Sequence, residues 1–149
     1  ANRPTKPERL SLKAVFNDIE PHLIAIEENH AVKIVRPQTD KPVFADKTKL
    51  EQVLINILKN AGECAPEQSE IQVTYRTIND ALHIYIKNTG EPLPEGVKSR
   101  LFEPFYTTKK GGTGLGLPTS KKLMEEMNGH IGIKSKGSQT TVTLTLPQN

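Results

Sequence analysis

Apolar positions along this chain recur first at helical and later at alternating spacing. Residues 1–11 come before any such period, open on Pro4 and Pro7 among four charges, and read as a linker. Leu12, Val15, Phe16, Ile19, Leu23 and Ile26 then share one helical face that runs to about Glu28, with Pro21 placed to kink or break it. Two short β-like runs, residues 31–35 and 42–45, precede a second helix that Asp46 is suited to cap. That helix carries Leu50, Val53, Leu54, Ile57, Leu58 and Ala61 on one stripe and ends near Pro66. Residues 71–78 and 82–87 alternate as strands around an Asn79-Asp80 hairpin turn. A short third helix is expected near Pro94. A fourth starts at Pro118, a residue suited to the first helical turn, and stops at Asn128-Gly129. Residues 131–136 and 140–146 close the chain as a strand pair. No repeat or low-complexity tract interrupts this order. It predicts an α+β fold, a two-layer α/β sandwich whose mixed sheet of about five strands is covered on one face by three main helices.

Composition narrows the function classes. At 149 residues, with 35% hydrophobic and 25% charged, the chain has the makings of one soluble domain with a proper core. The net charge of +3 comes from 20 basic and 17 acidic residues mixed along the sequence, which predicts no concentrated basic face for nucleic acid. Aromatics are few and Trp is absent, which also argues against a base-stacking platform. Cys64 has no partner for an internal disulfide, so a reducing, cytoplasmic setting is expected. No run reaches transmembrane length and no signal peptide is visible at Ala1; the chain reads as a piece of a longer protein, itself compatible with a membrane anchor.

Three clusters carry chemistry. The stretch EPFYTTKKGGTGLGL, residues 103–117, sets Gly111, Gly112, Gly114 and Gly116 directly ahead of a helix. Glycine lets backbone approach an anion, and the first helical amides aim unpaired N–H groups at the same spot, so a polyphosphate could sit there. Thr113, Lys109 and Lys110 add a hydroxyl and two cations. In the second helix Asn56 and Asn60 stand four apart, beside the apolar stripe rather than opposite it. Asparagine is a poor helix former, so a pair of them in mid-helix invites a functional reading: carboxamide oxygens that ligate a hard cation such as magnesium. At the end of the strand 82–87, Asn88 could accept a hydrogen bond from an exocyclic amine and select adenine, while Gly90 would let the base approach the backbone.

These elements, in this order, resemble the catalytic and ATP-binding domain of sensor histidine kinases, in the ATPase superfamily that includes Hsp90, gyrase B and MutL. LEQVLINILKNAGECA is similar to the family's N box, IKNTGEPLP to its first glycine box, LFEPFYTTK to its F box, GGTGLGL to its second glycine box and GSQTTVTLTLP to its third. The resemblance covers nearly the whole chain and is nearest the nitrogen-regulation and sporulation types. It implies the Bergerat ATP-binding fold, with ATP and magnesium as cofactors. Asn56 and Asn60 would be catalytic, holding magnesium and phosphate; Asn88 and Gly90 would read adenine. Thr107, Thr108, Lys109, Gly112, Thr113, Gly114, Leu115, Gly116 and Leu117 would line the nucleotide, and Thr140 would complete the adenine site through water. Phe102 and Phe105 would anchor the base of a lid.

Two positions depart from the family pattern. Asn88 stands where aspartate is usual, and a neutral acceptor makes a bond about half as strong as a charged one, so modest nucleotide affinity is expected. Gln139 stands where glycine is usual, beside Thr140. The phosphoryl acceptor of the family is a histidine on a separate helical dimerisation domain, and His22, His30, His83 and His130 match no acceptor motif. The implied partners are that helical domain, to which residues 1–11 would lead, and a response regulator; residues 12–149 would be the catalytic domain, a monomer in isolation. ATP-hydrolysing relatives carry glutamate four before the second asparagine, where this chain has Asn56, which ranks histidine kinase above hydrolase. An ATP-sensing or regulator-docking module without catalysis, and a serine-directed kinase of the superfamily, are the alternatives.

Overall fold

A computed structural model describes residues 4–90, 103 and 116–148. The expected short helix near Pro94, Phe102, Phe105, and the nucleotide-binding expectations at Thr107, Thr108, Lys109, Gly112, Thr113, Gly114 and Leu115 lie outside the described residues.

The first apolar run forms two helices, α1 (Leu12–Asp18) and α2 (Glu20–His30), broken at Ile19. Pro21 explains the break: it has no N–H to donate and its ring excludes a preceding helical turn, so it sits in the first turn of α2 instead. Ser11 caps α1 by accepting from the Ala14 amide at 3.0 Å, and Asp46 caps α3 (Lys47–Cys64) by accepting from the Lys49 amide at 3.0 Å. The last helix, α4 (Gly116–Glu126), begins two residues before Pro118. Its stop falls on Asn128, which takes the left-handed conformation at φ 59°, while the Gly129 amide closes the end by donating to Met124 O at 2.8 Å.

Among the described residues there are seven strands: β1 (Glu8–Ser11), β2 (Lys33–Val35), β3 (Pro42–Ala45), β4 (Glu70–Ile78), β5 (Ala81–Thr89), β6 (His130–Lys136) and β7 (Gln139–Pro147). Five of them form one mixed sheet in the order β2-β4-β5-β7-β6, with β2 parallel to β4 and the other pairs antiparallel. Asn79 and Asp80, at φ 50° and 61°, make the two-residue turn between β4 and β5. Within the stretch read as a linker, residues 8–11 form β1, antiparallel to β3 with Glu8 opposite Ala45. Backbone pairing, not an apolar alternation, holds this strand. Lys49, only 5% exposed, reinforces it by donating to Thr5 Oγ1 and pairing with Glu126 Oε1 at 3.0 Å.

The core lies between one face of the sheet and the helices. Leu50, Leu54, Ile57 and Leu58 of α3 and Met124 of α4 are buried over Ile71, Leu82, Ile84 and Leu144 of the sheet. Along β5 the side chains alternate strictly between buried and half-buried, the signature of a sheet covered on one side. α2 is fastened to β2 through Arg36, whose guanidinium grips both carboxylate oxygens of Glu27 at 2.9 and 3.0 Å and Glu20 at 2.8 Å. The Arg36 hydrogen bonds hold the Glu27 carboxyl below the usual carboxylate range. The same alternation sorts charges that are mixed in sequence, leaving Arg76, Lys87, Lys134 and Lys136 together on the uncovered face. Strand register, not net charge, decides where these cations gather.

Candidate functional site

Among the described residues, the polar side chains predicted to act fall into two groups, Asn56 and Asn60 where α3 meets the start of α4, and Asn88 and Thr140 at the paired ends of β5 and β7. β5 carries Leu82, Ile84 and Ile86 inward, and the same parity turns Asn88 inward at the strand end, where it is 6% exposed. Its Nδ2 donates to Thr89 O at 3.0 Å. Thr140 lies directly opposite Asn88 in the β5–β7 register, and Ser135 lies opposite Thr140 on β6. One row across the sheet thus ends the apolar core with an amide and two hydroxyls.

Above this row, Asn56 and Asn60 line one edge of α3, both half-buried. Asn56 bridges to α4: its Nδ2 donates to Ser120 Oγ at 3.2 Å and to Gly116 O at 3.4 Å. Its Oδ1 accepts from Gln52 Nε2 at 2.9 Å and keeps a second lone pair. Asn60 faces the same junction, since a Cβ built on Gly116 would lie 3.7 Å from Asn60 Nδ2. That is an ordinary contact, so crowding does not require glycine at 116. Leu117 packs partly against the hydrophobic core.

Gly90 is also required by the fold. Its φ is +155°, and an added Cβ would lie 2.9 Å from Cys64 O, so glycine here lets the end of β5 pass under the end of α3. Its amide donates to Ser138 O at 2.8 Å, which ties β5 to the turn before β7.

Two residues escaped the sequence reading. Ser120 is fully buried and orients Asn56, and Gln52 holds the other end of the same carboxamide. Their signal was helical spacing: Gln52 is four before Asn56, and Ser120 four after Gly116. The site side chains among the described residues are neutral.

Comparison with known proteins bears on this arrangement. Residues 45–149 match the family described as histidine kinase-, DNA gyrase B- and HSP90-like ATPases. Sporulation kinase E of Bacillus subtilis is 37% identical over 86% of this chain, which spans 20% of that protein. The sensory histidine kinase/phosphatase NtrB of Vibrio alginolyticus is 27% identical over 97% of the chain and 45% of its own length. The chain thus spans less than half the length of these relatives. Among solved structures, the nucleotide-free catalytic domain of histidine kinase ThkA superposes with a TM-score of 0.83 at 27% identity, covering 96% of each chain. The resemblance to the nitrogen-regulation and sporulation types, the two-layer fold and the family reading all agree with these matches. The chain belongs to the histidine kinase-, DNA gyrase B- and HSP90-like ATPase family.

Proposed function

We propose that the chain is the ATP-binding catalytic domain of a two-component sensor histidine kinase, working in the cytoplasm, which passes the γ-phosphoryl group of ATP to a histidine on a separate helical domain. The observation that carries this reading is a pair of polar edges, one on the helical layer and one on the sheet. Asn56 and Asn60 on α3 stand at the start of α4, and Asn88 and Thr140 stand in register at the end of the core-facing strand row. Residues 1–11 would lead to the helical domain, and a response regulator would take the phosphoryl group onward.

Adenine fits the buried end of the site. Asn88 Oδ1 would accept from the exocyclic amine, its Nδ2 being engaged with Thr89 O, and Thr140 would act through water from the opposite strand. The phosphates would lie toward Gly116, with residues 107–115 as their remaining contacts. The donor set suits magnesium: Asn56 and Asn60 offer neutral carboxamide oxygens one turn apart, and Asn56 is oriented at both ends before any ligand arrives. Bound there, the metal would neutralise phosphate charge during an in-line transfer. The protein's own share is positioning. Asn56, fixed by Ser120 and Gln52, holds its oxygen ready.

The test is phosphorylation in trans of a purified acceptor-histidine helical domain, followed by transfer to a response regulator. Radiolabel on the acceptor histidine that requires magnesium-ATP, and that is lost in Asn60→Asp, is expected. Repeated failure despite bound magnesium-ATP would leave only a nucleotide-binding role.

A further inference from the structure

Among the described residues, nothing covers the sheet face turned away from the helices, and this face orders its charges into rows. In one row Lys87, Thr141 and Lys134 stand side by side across β5, β7 and β6. Two residues further along each strand comes a neutral row of Thr74, Tyr85, Thr143 and Gly132. Two further still, Arg76, His83, Thr145 and His130 are aligned. All these positions point outward, because the alternate residues Val73, Ile84, Ile86, Val142 and Leu144 are buried in the core. Gly132 deepens the neutral row, since a Cβ there would meet nothing within 4 Å. Glu70 is the carboxylate of this face among the described residues, and it stands beside Lys33 at the far edge.

The spacing has a natural occupant. The outer rows are four residues apart, about 13 Å at strand rise, and the neutral row crosses four strands, about 14 Å at strand spacing. A helix with side chains is about 10–12 Å across, and 14 Å is between two and three of its turns. We propose that this face docks an acidic amphipathic helix of a partner protein. The helix lies along the neutral row, with carboxylates reaching Arg76 on one flank and Lys87 and Lys134 on the other. Small side chains of the helix seat against Thr143 and the Gly132 hollow. A single-stranded nucleic acid suits the face less well: among its described residues the rings are His83, Tyr85 and His130, and His83 and Tyr85 already lie against one another, with centroids 6.3 Å apart and planes 12° from parallel. The face lies opposite the side that carries Asn88 and Thr140, so docking does not require the nucleotide site and does not rest on the kinase reading.

The experiment is a titration of the isotope-labelled chain with a soluble alanine-based helix bearing glutamate along two flanks, followed by amide NMR, with oligouridine as the competing probe. Shifts confined to β4, β5, β7 and β6, weakening as salt is raised, are expected. Arg76→Glu combined with Lys134→Glu, both exposed and outside the core, should weaken binding about tenfold or more with the spectrum otherwise intact. The same peptide with lysine for glutamate should not bind. Absence of saturable shifts, shifts on the helical side, unchanged binding in the double variant, or tighter binding of oligouridine to this face would overturn the proposal.

Discussion

Replacing Asn88 by aspartate probes both the fold and the proposed adenine contact, and the two effects have opposite signs. Asn88 is 6% exposed and its Nδ2 donates to Thr89 O at 3.0 Å. In Asn88→Asp that bond is lost, about 1 kcal/mol, and an acceptor-only carboxylate is buried facing a carbonyl, about 1–3 kcal/mol more. A loss near 3 kcal/mol would lower the melting midpoint of a domain this size by roughly 6 to 12 °C. Burial raises the folded-state pKa of the new carboxyl, so the folded protein binds the proton more tightly than the unfolded one. The destabilisation should therefore be small at low pH and grow as pH rises through the raised value. With ADP bound, the charged acceptor should strengthen the bond to the exocyclic amine by about 1 kcal/mol, which is roughly fivefold in affinity. Melting scans across pH read the first effect and calorimetric titration with ADP reads the second. A midpoint equal to wild type at pH 8 together with an ADP affinity changed by less than about twofold would refute the buried, adenine-facing placement of Asn88.

Three further predictions concern packing and linkage. In Gly129→Ala the added Cβ would sit 2.5 Å from Thr145 O and 3.1 Å from Met124 Cε, so a loss of about 2 kcal/mol and a midpoint lower by roughly 4 to 8 °C are expected in thermal denaturation. Arg36→Gln should cost about 1–2 kcal/mol at neutral pH; because Glu27 has a depressed carboxyl pKa, the contribution is full above the unfolded value and is lost as pH falls through the folded one, so urea titrations of the two proteins should converge below about pH 4. Lys49→Met removes the cation that joins Thr5 to Glu126, and limited proteolysis should then cut within residues 4–10 faster than in wild type, while an unchanged cleavage rate would show that β1 holds without it.

What was legible in the sequence was local. The Asp46 cap, the Pro21 break, the Asn79-Asp80 turn and the stripe of α3 each follow from residues within a turn or two of one another. Asn56 and Asn60 stood out because asparagine is costly in mid-helix unless it has work there, and α3 does place both at the junction with α4. What depended on distant pairing was not legible. β1 exists because residues 8–11 find β3 more than thirty positions away, and its side chains give no alternating pattern. Ser120 could be seen as an orienting residue only once α4 lay against α3. The glycine at 90 suggested a ligand approaching the backbone, and the steric requirement that Cys64 O adds could not be seen in the sequence. The basic face was hidden because Lys87 and Lys134 are far apart in sequence and meet only through β7.

The central claim is that this chain binds ATP through the α3–α4 junction and the β5–β7 strand ends. Calorimetric titration with ADP and a non-hydrolysable ATP analogue, each with and without magnesium and with GTP as control, tests it most directly. The account predicts saturable binding that magnesium enhances and that GTP does not reproduce. No binding, or equal binding of GTP, would contradict it.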